Sequence, residues 1–154
     1  MISFVFSRRD PEAPGHGFDI GDLEIATPNE TATTKQHKPD QGTMIYLMII
    51  SLLDCTYEFL NSPKKKQIEI IAPDSSFSLL LQRSKQKNQI IISSGKKLLG
   101  TFSDKIFVSS LISAVDSFLE GTNLLQNEDP VLTDLTNSLS RLRTTNHQLM
   151  NSDH

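Results

Sequence analysis

Metal or acid–base chemistry needs histidines, cysteines and carboxylates converging on one point, and this chain offers few of them in usable spacing. Its four histidines are His16, His37, His147 and His154. No two stand three or four residues apart, the spacing that puts paired ligands on one helix face, so neither a metal site nor a cofactor is expected. The single cysteine, Cys55, falls on the apolar stripe of a candidate helix and reads as a small core residue, not a nucleophile. A lone cysteine closes no internal disulfide, which suits a reducing compartment and a cytoplasmic location. Gly15 and Gly17 lack the Gly-Lys-Ser/Thr ending of a phosphate loop and read as turn glycines. With no catalytic set in view, the expected work of the chain is binding, not catalysis.

The charged residues are therefore the candidates for partner contacts. Asp19, Asp22 and Glu24 form one acidic group, which is either a solvated sheet face or a patch for a basic partner. Asp54 and Glu58 lie one turn apart on the most apolar helix of the chain, where one of them could be buried. These five carboxylates are the candidate partner-binding residues. Lys64, Lys65, Lys66, Arg83, Lys85 and Lys87 gather at one end of a predicted meander. They could meet phosphates, giving the alternative of a small nucleic-acid-binding or regulatory module built on residues 64–102. No aromatics interleave with them to stack bases, and lysines at strand ends also discourage edge-to-edge aggregation.

Net charge is −3, unevenly spread: residues 1–43 carry four basic and seven acidic groups, residues 44–102 eight and four, residues 103–154 three and seven. A mildly acidic total argues against a dedicated nucleic-acid binder. The most apolar run, Met44 to Leu53, is half the length a bilayer-spanning helix needs, so no membrane association is expected.

The elements that must position these residues follow from periodicity. Ile2 to Phe6 reads as a strand, and Phe18 to Ile25 alternates apolar and polar on either side of Gly21-Asp22, as a hairpin or one bulged strand does. If Phe18, Ile20, Leu23 and Ile25 all face inward, the acids line the outer face. Residues 26–42, rich in Thr, Asn, Pro and Lys, read as a mobile loop. Met44, Leu47, Met48, Leu52, Cys55 and Phe59 make a helical stripe ending before Pro63. Residues 67–102 predict four short antiparallel strands joined by tight turns. Ser103 caps a helix carrying Phe107, Leu111, Val115 and Phe118, with Asp104 in its first turn, and Gly121 stops it. Asp129 caps a last helix, with Pro130 at its first position, running to residue 150; residues 151–154 should fray. Its narrow seam of Leu132, Leu135, Leu139 and Leu142 leaves self-association open. The fold class predicted is α+β: one antiparallel sheet of about four to six strands packed with two to three helices, in a single domain.

Three stretches carry a family resemblance: Gly17-Phe-Asp-Ile-Gly-Asp-Leu-Glu-Ile25, Met44-Ile-Tyr-Leu-Met-Ile-Ile-Ser-Leu-Leu-Asp54, and Asp74-Ser-Ser-Phe-Ser-Leu-Leu-Leu-Gln-Arg83 continuing through hairpin and helix to Leu119. In this order they resemble the small α/β immunity proteins that bacteria encode beside polymorphic or contact-dependent toxins. The resemblance implies a protein that binds a cognate toxin or effector domain in the producing cell and neutralises it by occlusion. Many such toxins are basic nucleases, for which carboxylates would mimic phosphates, so the resemblance implies a basic partner. It assigns no individual functional residue.

Overall fold

The computed structural model describes residues 1–35, 39–121 and 128–152. Its first sheet is built on β1 (Ser3–Arg8) and β2 (Ile20–Ala26), paired antiparallel with Val5 opposite Glu24. The free side of β2 takes two short strands, β3 (Thr31–Thr33) and β4 (Thr43–Met44). Alternation sends Phe4, Phe6, Leu23 and Ile25 into the core.

Residues 20–26 form one unbroken strand, so Gly21-Asp22 is neither turn nor bulge. Strict parity then puts Ile20 on the opposite face from Leu23, and Ile20 and Phe18 are 40% and 66% exposed instead of buried. Glycine is required at 21 for room: a Cβ there would lie 2.2 Å from the Ser7 carbonyl oxygen and 2.8 Å from the Ile45 side chain. The stretch read as a mobile loop holds β3, whose threonines suit a short edge strand and whose Ala32 is buried; residues 36–38 of that stretch lie outside the described residues.

Helix α1 (Ile45–Leu60) follows directly and is buried over much of its circumference, as its largely apolar composition dictates. The second sheet is a meander of β5 (Gln67–Ile71), β6 (Ser78–Arg83), β7 (Gln89–Ser94) and β8 (Lys97–Ser103), each antiparallel to the next. Gly95, at φ 58°, takes the first position of the two-residue β7–β8 loop, where a left-handed backbone favours glycine.

Helix α2 (Asp104–Leu119) starts where Ser103 Oγ accepts the Ile106 N–H, and α3 (Pro130–Asn151) where Asp129 accepts the Val131 N–H. The class is α+β, with two four-stranded antiparallel sheets instead of one and three helices. The sheets meet at β3 and β8 through Thr27 Oγ1 donating to Leu99 O at 2.7 Å and Lys97 Nζ to Thr31 O at 3.1 Å.

Helices α1 and α2 pack on the sheets, and α3 packs on α1 and α2. Leu52, Phe77, Phe107, Leu111 and Val115 are buried between these layers. Leu135, Leu139 and Leu142 are also buried, with Leu132 packed partly against the same core, so the leucine seam expected to be open to self-association is spent inside the chain.

Candidate protein-binding surface

The acids of residues 19–24 are tied down by the two arginines ending β1. The antiparallel register sets Arg8 opposite Gly21, which brings Arg8 and Arg9 to Asp19 and Asp22. Arg8 Nε donates to Asp19 at 3.0 Å, and Arg8 Nη2 donates to Ala13 O. Asp19 also accepts the His16 N–H at 3.0 Å, and its side chain is only 13% exposed. Arg9 forks, giving two 3.1 Å bonds to Asp22 and further bonds to Asp40 at 2.6 and 2.7 Å.

Asp22, buried, also accepts from Thr34 Oγ1. Burial pushes its carboxyl up, but the hydrogen bonds from Arg9 and Thr34 outweigh that and hold it below the usual carboxylate range. Asp40 is held well below that range by the Arg9 fork and the Gly42 N–H. Asp19 and Asp22 thus form neither a solvated face nor a free patch; they fasten β2 and the turn before it to the end of β1, and Arg9 and Thr34 tie in the segment after β2 through Asp40 and Asp22. Glu24, half-buried on β2, stays outside this clasp.

Neither Asp54 nor Glu58 is buried. Asp54 pairs with Arg141 of α3 at 3.0 Å, and exposed Glu58 pairs with Lys65 at 3.1 Å. Cys55 between them is half-buried, and burial, reinforced by those two carboxylates, pushes its thiol up, away from the thiolate a nucleophile needs. Among the described residues no group of three or more histidines, cysteines and carboxylates could hold a metal ion, and no helix is long and apolar enough to cross a membrane.

The basic end of the meander divides. Arg83 is structural: its guanidinium lies 4.3 Å over the Phe59 ring, and its N–H groups donate to Phe59 O, to Ser62 O at 3.1 Å and to Lys65 O at 2.8 Å. It closes the C-terminus of α1, where carbonyls outnumber donors and a cation is favoured. The Arg83 N–H to Lys66 O bond and the β6–β7 turn hold Lys64, Lys66, Lys85 and Lys87 at one end of the sheet.

Sequence reasoning missed the outer face of this second sheet. Its helices sit on the other side, touching the inward set Ile68, Ile70, Leu79, Leu81, Ile90, Ile92 and Leu99. The register sets Glu69, Leu80, Ser93 and Leu98 in one outward row and Gln67, Gln82, Ile91 and Thr101 in the next. Leu98 and Ile71 are 63% and 59% exposed, and Leu80 and Ile91 lie half-exposed between them. An apolar band from Ile71 on β5 through Leu80 and Ile91 to Leu98 on β8 crosses the face among glutamine, serine, threonine and the exposed Glu69, with lysines beyond: Lys96 and Lys97 at one end, Lys64, Lys66, Lys85 and Lys87 at the other. The signal was in the sequence, since Leu80, Ile91 and Leu98 sit at the polar phase of their strands. No protein-family model, curated protein or solved structure matches this chain.

Proposed function

We propose that this chain is a protein-binding module that neutralises a cognate toxin or effector domain by occlusion, as a bacterial immunity protein acting in the cytoplasm of the producing cell. The observation that carries the binding part is the uncovered face of the second sheet. Apolar side chains that no element covers among the described residues, set among polar ones, are what a partner-binding surface presents. Leu98 and Ile71 would serve as anchors that set the dissociation rate, and the lysines at both ends as the groups that steer encounter. The partner complementary to this face is acidic around its contact. A basic partner, as the resemblance implies, would not find Asp19 and Asp22 free, since Arg8 and Arg9 already pair with them. The toxin assignment rests on the resemblance, and the sheet face supplies it with a surface.

The gathering of Lys64, Lys66, Lys85 and Lys87 favours one second reading, a module that contacts nucleic-acid phosphates. One experiment separates the two. Purified protein is titrated against the product of the adjacent reading frame, and separately against duplex DNA and single-stranded RNA, across a salt series. The proposal expects a stable complex that protects cells from that product, and loss of both binding and protection in Leu98→Asp with unchanged circular dichroism. Full protection by Leu98→Asp overturns the surface assignment. Absence of any complex, with salt-dependent nucleic-acid binding in its place, overturns the function.

A further inference from the structure

Strand β1 is an edge strand, and its own sequence is complementary to itself. The Arg9 N–H donates to Ile20 O at 3.0 Å, continuing the β1–β2 register, so Arg9, Ser7, Val5 and Ser3 are the residues whose backbone groups point at β2. The N–H and C=O groups of Phe4 and Phe6 therefore point to the open side, where no further strand pairs with β1 among the described residues.

Natural edges are blunted by lysine, proline, a bulge or an inward-pointing charge. Residues 3–7 read Ser-Phe-Val-Phe-Ser and contain none of these, and their register with β2 is regular. Beside the edge runs a groove of about 600 Å³ between β1 and α2, whose α2 wall is Ser109, Ser110, Ser113, Ala114, Ser117 and Phe118. Phe4 and Phe6 floor it, packed edge-on against Phe107 and Phe118.

We propose that β1 pairs antiparallel with β1 of a second copy of this chain, about a two-fold axis at Val5, to form a homodimer with one sheet continuous across both copies. Ser3-Phe4-Val5-Phe6-Ser7 reads the same in both directions, so centring on Val5 sets Phe4 opposite Phe6 of the second copy and each serine opposite a serine. The outward backbone groups fit this register. Phe4 and Phe6 of the second copy exchange N–H and C=O bonds in a hydrogen-bonded pair, and the two Val5 residues meet in a non-hydrogen-bonded pair with their side chains close.

Phe4 and Phe6 lie on the core side, so the pairing also places aromatic rings of the two copies against each other beneath the sheet. The serines and alanine of α2 leave room for α2 of the second copy, which the two-fold axis brings alongside; short side chains allow the close end of the ordinary helix spacing. An unrelated extended peptide would satisfy the edge, but it would need neither the symmetry of residues 3–7 nor the small residues along α2. The dimer leaves the outer face of the second sheet open, so it stands apart from the function proposed above.

The test uses the full chain in sedimentation equilibrium over a wide concentration range. The native protein is expected to dimerise reversibly. Val5 is 54% exposed on the outer face, so Val5→Lys leaves the core intact and sets two like charges together at the axis; it is expected to be monomeric. Ser113→Arg, on exposed α2 surface, is expected to weaken the dimer without touching β1. Val5→Cys is expected to form a covalent dimer on mild oxidation, since opposed residues of a non-hydrogen-bonded pair lie within disulfide reach, while the native chain with only Cys55 does not. A native protein that stays monomeric at all concentrations overturns the proposal. So does a dimer that survives Val5→Lys, or a Val5→Cys protein that fails to cross-link while dimeric.

Discussion

Replacing Arg83 with methionine keeps an unbranched apolar stem over Phe59 and removes everything the guanidinium does. Three carbonyl bonds are lost, to Phe59, Ser62 and Lys65, together with the stacking of the cation on the Phe59 ring. A hydrogen bond to a charged group contributes about 1.5–3 kcal/mol, and a cation over an aromatic ring about 0.5–1 kcal/mol at an accessible site. These bonds share one donor group and are partly open to water, which can replace some of them, so they do not add in full. The expected loss is about 2–4 kcal/mol, or roughly 5–12 °C in the thermal midpoint of a chain this size.

Arg83→Lys retains a charge at the α1 C-terminus but not the fork, and should lose about half as much. Urea denaturation followed by far-ultraviolet circular dichroism reads both, with an unchanged slope expected because the exposed area is the same. A loss below about 0.5 kcal/mol for Arg83→Met, within the range of ordinary surface substitutions, would refute the assignment of Arg83 as the closure of α1. It would also return Arg83 to the set of lysines free to contact a partner.

Two further predictions concern carboxylates shifted in opposite directions. Asp22 is held below its ordinary value of 3.8 in the folded chain, so it stabilises the fold above that pH and this contribution disappears as pH falls through the lowered value. Asp22→Asn should lower the denaturation midpoint at pH 7 and flatten the acid limb of the stability profile; an unchanged acid limb would exclude the Arg9 clasp as its cause. Asp104 is buried with its Oδ1 unpaired, and burial pushes its carboxyl up against the opposing pull of Arg83. Its ionised form therefore costs stability above the raised value, and the cost vanishes below about 3.8. Asp104→Asn should raise the thermal midpoint at pH 7 and lose that advantage near pH 3, whereas a lowered midpoint at pH 7 would show that its charge at the α2 N-terminus outweighs its burial.

The helices and the second sheet were legible because each is specified locally. The apolar stripes of α1 and α2 and the caps Ser103 and Asp129 lie within a turn of the structure they determine. The turn at Gly95 and the β-branched runs of β5 and β7 do the same for the meander. Where two local patterns competed, the sequence was ambiguous. Around Gly21 the apolar residues change parity, which a hairpin would reconcile, and only the continuous pairing with β1 shows that Ile20 faces outward instead. Asp104 stands in the first turn of α2 as expected, and what the sequence does not show is that packing buries it.

The fold bears on the charge reading in a more instructive way. Counting by segment gave an acidic start and a basic middle, and assigned partner contacts to the acids. Ion pairs, however, follow the fold and not the segment. Arg8 and Arg9 stand eleven and thirteen positions before Asp19 and Asp22, and a strand pairing brings them together. Such a clasp is detectable from sequence only by asking which charges two paired strands would bring to one edge. Two lysines beside the second sheet are paired in the same way, Lys65 with Glu58 at 3.1 Å and Lys97 with Glu30 at 3.9 Å, and neither pair is adjacent in sequence. Lys64, Lys66, Lys85, Lys87 and Lys96 remain at the two ends of the sheet whose outer face carries Leu98 and Ile91, which no helix covers among the described residues. Apolar side chains exposed beside cationic ones are the feature on which the proposed binding surface rests.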